Sequence, residues 1–140
     1  MFSKHDARID AIAGLDLFAG LDRKQLATIA SLSTEVTLPE GDVLCRRGER
    51  GREAFVLVEG TVAVSVQDEA IAVLRPGAVF GEMSLIDGKP RVANVTATSD
   101  VSVLVLNPLE LASLLEAVPT VRRRIFATQG TRKKDLALSA

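Results

Sequence analysis

Residues 53–74 read EAFVLVEGTVAVSVQDEAIAVL, and this stretch decides the fold. Its middle, TVAVSV (61–66), alternates strictly, with Val62, Val64 and Val66 on one face of an extended chain and Ala63 and Ser65 on the other. That period of two predicts a strand with one face turned to a core. The run before it predicts another strand, ending at Glu59-Gly60. Asp68-Glu69 suits a hairpin turn, after which AIAVL returns.

Working outward, LPEGD is a turn cluster that separates TEVTL from VLCRRG, and GERG turns again before residue 53. RPG follows Leu74. ANVTAT and VSVLVL are two more strands, with Val101, Val103 and Val105 sharing a face. About eight short strands with turns between them predict an antiparallel sandwich, jelly roll or barrel.

Both flanks are helical. Ile9, Ile12, Leu15, Leu17, Phe18, Leu21, Leu26, Ile29 and Leu32 recur at mostly three- to five-residue spacing. Gly14 and Gly20 break that pattern, and Asp22 is placed as the N-cap of a helix over 23–32. PLELASLLEAV opens a helix at Pro108, where a missing N–H costs nothing. A second helix follows Pro119, with Val121, Ile125 and Phe126 as its apolar stripe and Gly130 as a soft point. One domain is expected, with N-terminal helices over 1–33, strands over 34–107 and two C-terminal helices over 108–140.

The 140 residues are 47% apolar and 25% charged, with a net charge of −1. Such a chain has no global field drawing it to nucleic acid, and without Trp or Tyr it has little for bases to stack on. Cys45 is the only cysteine, so no internal disulfide forms, and a small buried hydrophobe on a strand is expected there. No apolar run approaches the ~18–20 residues of a membrane span, and the N-terminus has no apolar signal core. A cytoplasmic location is expected. The single histidine, His5, in an N-terminal segment expected to be mobile, gives a nucleophilic triad no base and a metal site no cluster. Gly88-Lys89 lacks the rest of a phosphate-binding P-loop. An enzyme is not expected.

Chemistry concentrates in FGEMSLIDGKPRVANVTA (80–97). Gly81 lets another molecule approach the backbone closely. EMSLI can make one turn of helix, leaving the N–H groups of Met83 and Ser84 as donors for an anion. Arg91, at the head of the next strand, presents a guanidinium fork matched to two phosphate oxygens. Glu82 is suited to a sugar hydroxyl. From the residues alone, Arg91 and Glu82 either pair with each other or wait for a ligand bearing phosphate and ribose.

This stretch resembles the phosphate-binding cassette of cyclic nucleotide-binding domains, whose pattern runs FGE, small apolar residues, a loop, then PR-x-A-x-V-x-A. The resemblance extends to LPEGDVLCRRGERGREAFVLVEGTVAV and DLFAGLDRKQLATIA, so that residues 10 to 135 or so are covered. It implies an eight-stranded antiparallel β-roll, mainly β with flanking α. It also implies that Arg91 holds the cyclic phosphate, Glu82 takes the ribose 2′-hydroxyl, Gly81 admits the sugar, and N–H groups near Met83, Ser84 and Val92 complete the shell. Val64, Ala72, Leu74 and Phe80 are expected as the apolar wall beside the base. Val92 offers no hydroxyl to a guanine edge, which tilts the expected ligand to cAMP, with cGMP second.

In the family the last helix closes over the base. Here that implies Arg132 or Lys133 near the base, with residues 130–140 mobile without ligand and ordered with it. No cofactor and no metal are expected. The chain shows no output domain, so an effector protein or an output domain elsewhere is implied as partner. The competing expectation is a degenerate β-roll used only for contact between proteins.

Overall fold

The computed structural model describes residues 4–139, with side chains described from Asp6 to Gln129. Eight antiparallel strands make two four-stranded sheets. The first sheet runs β1 (Thr34–Leu38), β8 (Val101–Leu106), β3 (Ala54–Glu59), β6 (Val79–Phe80). The second runs β2 (Val43–Cys45), β7 (Asn94–Ala97), β4 (Val62–Val66), β5 (Glu69–Leu74). Helices α1 (Lys4–Ala13) and α2 (Arg23–Leu32) precede them, with a 3-10 turn at Asp16–Phe18 between the two. Helix α3 (Glu82–Asp87) interrupts the strands, and α4 (Pro108–Ala117) and α5 (Pro119–Ser139) follow. The fold is the β-roll with flanking helices that the sequence predicts.

Two cores form because β3 and β8 are covered on both faces. Ala54, Val56 and Val58 face the helices, whereas Phe55 and Leu57 face the interior of the roll. On β8, Leu104 and Leu106 join the helical side, while Val101, Val103 and Val105 point into the roll. The helices deliver Ile9, Ile12, Leu26, Ile29, Leu111, Leu114, Val121 and Ile125 to the first core. Capping boxes fix two of their starts, Asp22 with Gln25 and Asn107 with Glu110, each satisfying two backbone donors that a helix start leaves open.

Two expectations are corrected. The β4–β5 turn is Gln67-Asp68, both at positive φ, and Glu69 already belongs to β5. Two left-handed residues twist a two-residue hairpin the way its strands twist, which Asp68-Glu69 one step later would not. Phe126 is 38% exposed with the Arg122 guanidinium 5.4 Å from its ring centre, so the buried row of α5 is Val121, Ile125, Gln129 instead. Those three lie four residues apart on one face. No helix among the described residues is long and apolar enough to cross a membrane.

Candidate functional site

The site grows from a junction between the sheets. β2 lies in one sheet and β3 in the other, so residues 46–53 must cross between them. That crossing pairs with the chain ahead of β7: the Arg91 N–H donates to Glu49 O and the Gly48 N–H to Arg91 O, both at 2.8 Å. The Arg47 N–H donates to Asn94 Oδ1 at 2.9 Å. Arg91 therefore lies three residues before β7, held by this crossing rather than by the strand itself.

Its side chain is clamped as well. Arg91 Nη1 donates to Gly81 O at 2.7 Å and Nη2 to Glu53 O at 2.8 Å. A guanidinium has five N–H donors, and these bonds commit one on each terminal nitrogen. The fork is thus oriented by backbone on two sides while its charge is not neutralised by either carbonyl.

Two glycines make room for it. Gly81, the N-cap of α3, has φ +80°, and a Cβ there would lie 2.6 Å from Arg91 Nη1. A Cβ on Gly51 would lie 2.5 Å from Ser84 Cβ and 3.1 Å from Arg91 Cζ. Gly51 therefore packs directly on the start of α3 and on the guanidinium. At the far end, Gly88 closes α3 with φ +71°, and the Lys89 N–H donates to Asp87 Oδ1 at 2.9 Å. These bonds shape the DGKP loop that returns the chain to Arg91.

Glu82 opens α3 and is only 1% exposed. A carboxylate in a first turn is favoured by the helix dipole. Met83 and Ser84 follow in the same turn, half-buried. Cys45 lies among these charges. Burial pushes its thiol up from 9.0 to about 11, the Arg91 guanidinium pulls it partly back, and the Glu82 and Glu53 carboxylates add to the rise.

Arg91 lines two cavities, and a third lies on the far side of Gly51. One of about 450 Å³ is lined by Cys45, Arg46, Arg50, Arg52, Glu53 and Arg91 among others. One of about 510 Å³ lies between Arg50, Gly51, Arg52, Ser84, Leu85 and Pro108. Another, of about 570 Å³, is bordered by Arg47, Gln67, Asp68, Arg91, Val92 and Asn94. All fall within the ~300–1,000 Å³ typical of small-ligand sites.

The residues expected beside the base lie on β4, β5 and β6. Register sets Val64 opposite Ala72 and Val62 opposite Leu74. Val64 and Leu74 pack against the inner core that contains Phe80, whose ring stacks on Phe55 with centroids 5.0 Å apart. Ala72, nearer the hairpin tip, is exposed. Val92 is 49% exposed beside Arg91. Arg132 and Lys133 lie on α5, but their side chains fall outside the described residues. Gly51 and the carbonyl of Glu53 were not singled out by the sequence, although GERG carries one of the glycines as a turn signal.

The family model for the cyclic nucleotide-binding domain matches residues 35–118. A cyclic nucleotide-gated potassium channel of Mesorhizobium japonicum is 37% identical over 129 residues, which cover 92% of this chain and 36% of that relative. The chain therefore spans about a third of the length of that curated relative. Among solved structures, PKAR CBD2 with Sp-2Cl-cAMPS bound superposes with a TM-score of 0.84 at 22% identity, covering 96% of this chain and 90% of that one. The Thermus thermophilus catabolite activator protein gives 0.75 at 26% identity, covering 88% of this chain and 60% of that one.

Proposed function

Because this chain belongs to the cyclic nucleotide-binding domain family, a family of regulatory rather than enzymatic domains, we propose that it senses cAMP in the β-roll and signals through its C-terminal helix. The observation that carries the reading is the clamped Arg91. Its guanidinium is oriented by Gly81 O and Glu53 O at the start of α3, under two glycines that leave no side chain in the way. A pre-oriented fork of this kind loses little freedom on meeting a cyclic phosphate.

In this reading Arg91 takes the phosphate, helped by the N–H groups of Met83, Ser84 and Val92. Glu82 accepts from the ribose 2′-hydroxyl, a bond made strong by burial. Val64, Ala72, Leu74 and Phe80 face the base. Val92 favours adenine over guanine, and cGMP is the second ligand. The analogue bound by the PKAR neighbour is consistent with the adenine choice. Helix α5 closes over the base and passes the signal to an effector protein or an output domain. A cytoplasmic location suits that role.

The test is a thermal melt with cAMP, cGMP and non-cyclic nucleotides. A ligand that binds only the folded state stabilises it by mass action, by roughly 2.7 kcal/mol at a hundredfold excess over Kd, and so raises Tm. The expected result is a large shift with cAMP and a smaller one with cGMP. No shift with either would leave the roll as a contact module between proteins.

A further inference from the structure

The crossing segment holds four arginines and two glutamates in eight residues, 46–53, in a chain whose net charge is −1. Gly51 is its point of contact with the start of α3, packed on Ser84 and on the Arg91 guanidinium. Arg50 and Arg52 flank that glycine, and both line the two cavities on either side of it. Both are exposed. The ion pairs among the described residues join Arg8 to Glu35 and Arg23 to Asp6 and Asp10, so neither Arg50 nor Arg52 is neutralised within 4.0 Å by Glu49 or Glu53. Two solvated positive charges thus line the cavity that Arg91 itself lines, and neither is engaged in an ion pair that holds the fold.

We infer that Arg50 and Arg52 form a capture pair that draws an anionic ligand toward Arg91 and sets its rate of association. The inference rests on the reading of Arg91 as the phosphate ligand. Exposed charges contribute little to the energy of a finished contact, because water screens them. They act instead on the encounter, within a Debye length of ~10 Å at 0.1 M salt, and charges at the rim of a site change association rate and salt dependence rather than residence time. The inferred role is therefore kinetic, and it separates these two arginines from Arg91, which determines affinity.

Stopped-flow mixing of the full chain with a fluorescent cAMP analogue tests it. Replacing both residues, Arg50→Gln with Arg52→Gln, is expected to slow association roughly tenfold at low ionic strength and to flatten its salt dependence. The curves should converge near 1 M salt, where the Debye length is ~3 Å. Dissociation should stay within about twofold of the original, and Arg50→Lys with Arg52→Lys should keep the original association rate, since charge rather than fork geometry is at work. Association unchanged in rate and salt dependence would overturn the inference, as would a loss carried by faster dissociation. If the unaltered chain does not take up the analogue at all, the cyclic nucleotide reading falls and this inference with it.

Discussion

The Arg91 guanidinium donates through Nη1 to the Gly81 carbonyl at 2.7 Å, and a Cβ on Gly81 would lie 2.6 Å from that same nitrogen. The two residues fit only while one of them has no side chain. Gly81→Ala then meets two obstacles. Its φ of +80° costs an L-residue about 1–2 kcal/mol, and the new methyl pushes the guanidinium off its carbonyl. The variant should melt earlier and bind cAMP at least roughly tenfold more weakly, or ~1.4 kcal/mol. Calorimetry on the folded variant checks the second effect, and unchanged affinity would show that the position of Arg91 does not matter to the ligand.

Arg91→Ala separates binding from folding. Arg91 is half-buried, and the carbonyls of Gly81 and Glu53 that it releases can turn to water. The fold should survive by circular dichroism. Affinity for cAMP should fall by ~2–5 kcal/mol, because the phosphate would enter the site with no counter-charge. Arg91→Lys should recover little of it, since a point charge cannot bridge two carbonyls and a phosphate at once. Affinity near that of the unaltered chain in either variant would remove Arg91 from the site.

Much of this was legible in the sequence, and for local reasons. The alternation of Val62 and Val64, the cap at Asp22 and the glycines around β6 act within a few residues of themselves. So does the pattern of residues 80–97. What was not legible depends on pairing across the sheets. Residues 48 and 49 meet Arg91 more than forty positions away, because β2 and β3 belong to different sheets and the chain between them passes beside Arg91. RRGERGRE has no period, so nothing in it announces that Gly51 touches Ser84. The Gln67-Asp68 turn was placed one residue late for a different reason. Neither residue is a glycine or asparagine, the usual marks of a left-handed hairpin turn. Phe126 fits the apolar period of α5, but its ring is served by Arg122 at the surface.

Base preference is tested at Val92. It is 49% exposed and adjoins Arg91, so a side chain of similar size is accommodated without repacking. Val92→Thr supplies a hydroxyl where the proposed guanine edge lies. One added hydrogen bond is worth ~0.5–1.5 kcal/mol, which narrows the gap between cAMP and cGMP by about tenfold at most. A competition titration reads the ratio. No movement in favour of cGMP would mean that the base does not approach this residue.

Cys45 makes a pH prediction with a defined sign. Its folded thiol is raised from 9.0 to about 11 by burial, so the folded state holds its proton more firmly than the unfolded chain does. The stability this contributes is complete below pH 9.0 and is lost as pH climbs toward about 11. The loss should reach roughly 2–3 kcal/mol. Denaturant unfolding at a series of pH values, compared with Cys45→Ala, isolates it from the titration of lysines. With no Trp or Tyr in the chain, thiolate absorbance near 240 nm can be followed directly. Arg91→Ala removes the one cation that pulls the thiol down, so it should move the thiol further up. A Cys45 that ionises near pH 9 in the folded protein would refute the burial on which this rests.

Besides the core that Val121 and Ile125 share with the N-terminal helices, Arg124 joins α5 to the 3-10 turn between α1 and α2. Arg124 Nη1 on α5 donates to Leu17 O at 2.9 Å and reaches Asp16 O at 3.5 Å. The same 3-10 turn is abutted by Gly77 at the entrance to β6, whose Cβ would lie 3.5 Å from Asp16 N. In the proposed signalling, movement of α5 would pull on a turn that also touches the strand leading into Phe80 and Gly81. Arg124→Ala breaks this tie and leaves two carbonyls to water, at a cost of ~1.5–3 kcal/mol for a charged hydrogen bond, reduced by the partial exposure of the arginine. Hydrogen exchange should quicken at Ile125 to Gln129, while the amides of β3 and β8, in the centre of the sheet, stay as protected as before. Equal loss of protection in both places would mean that Arg124 supports the whole fold and does not serve as a tie for α5.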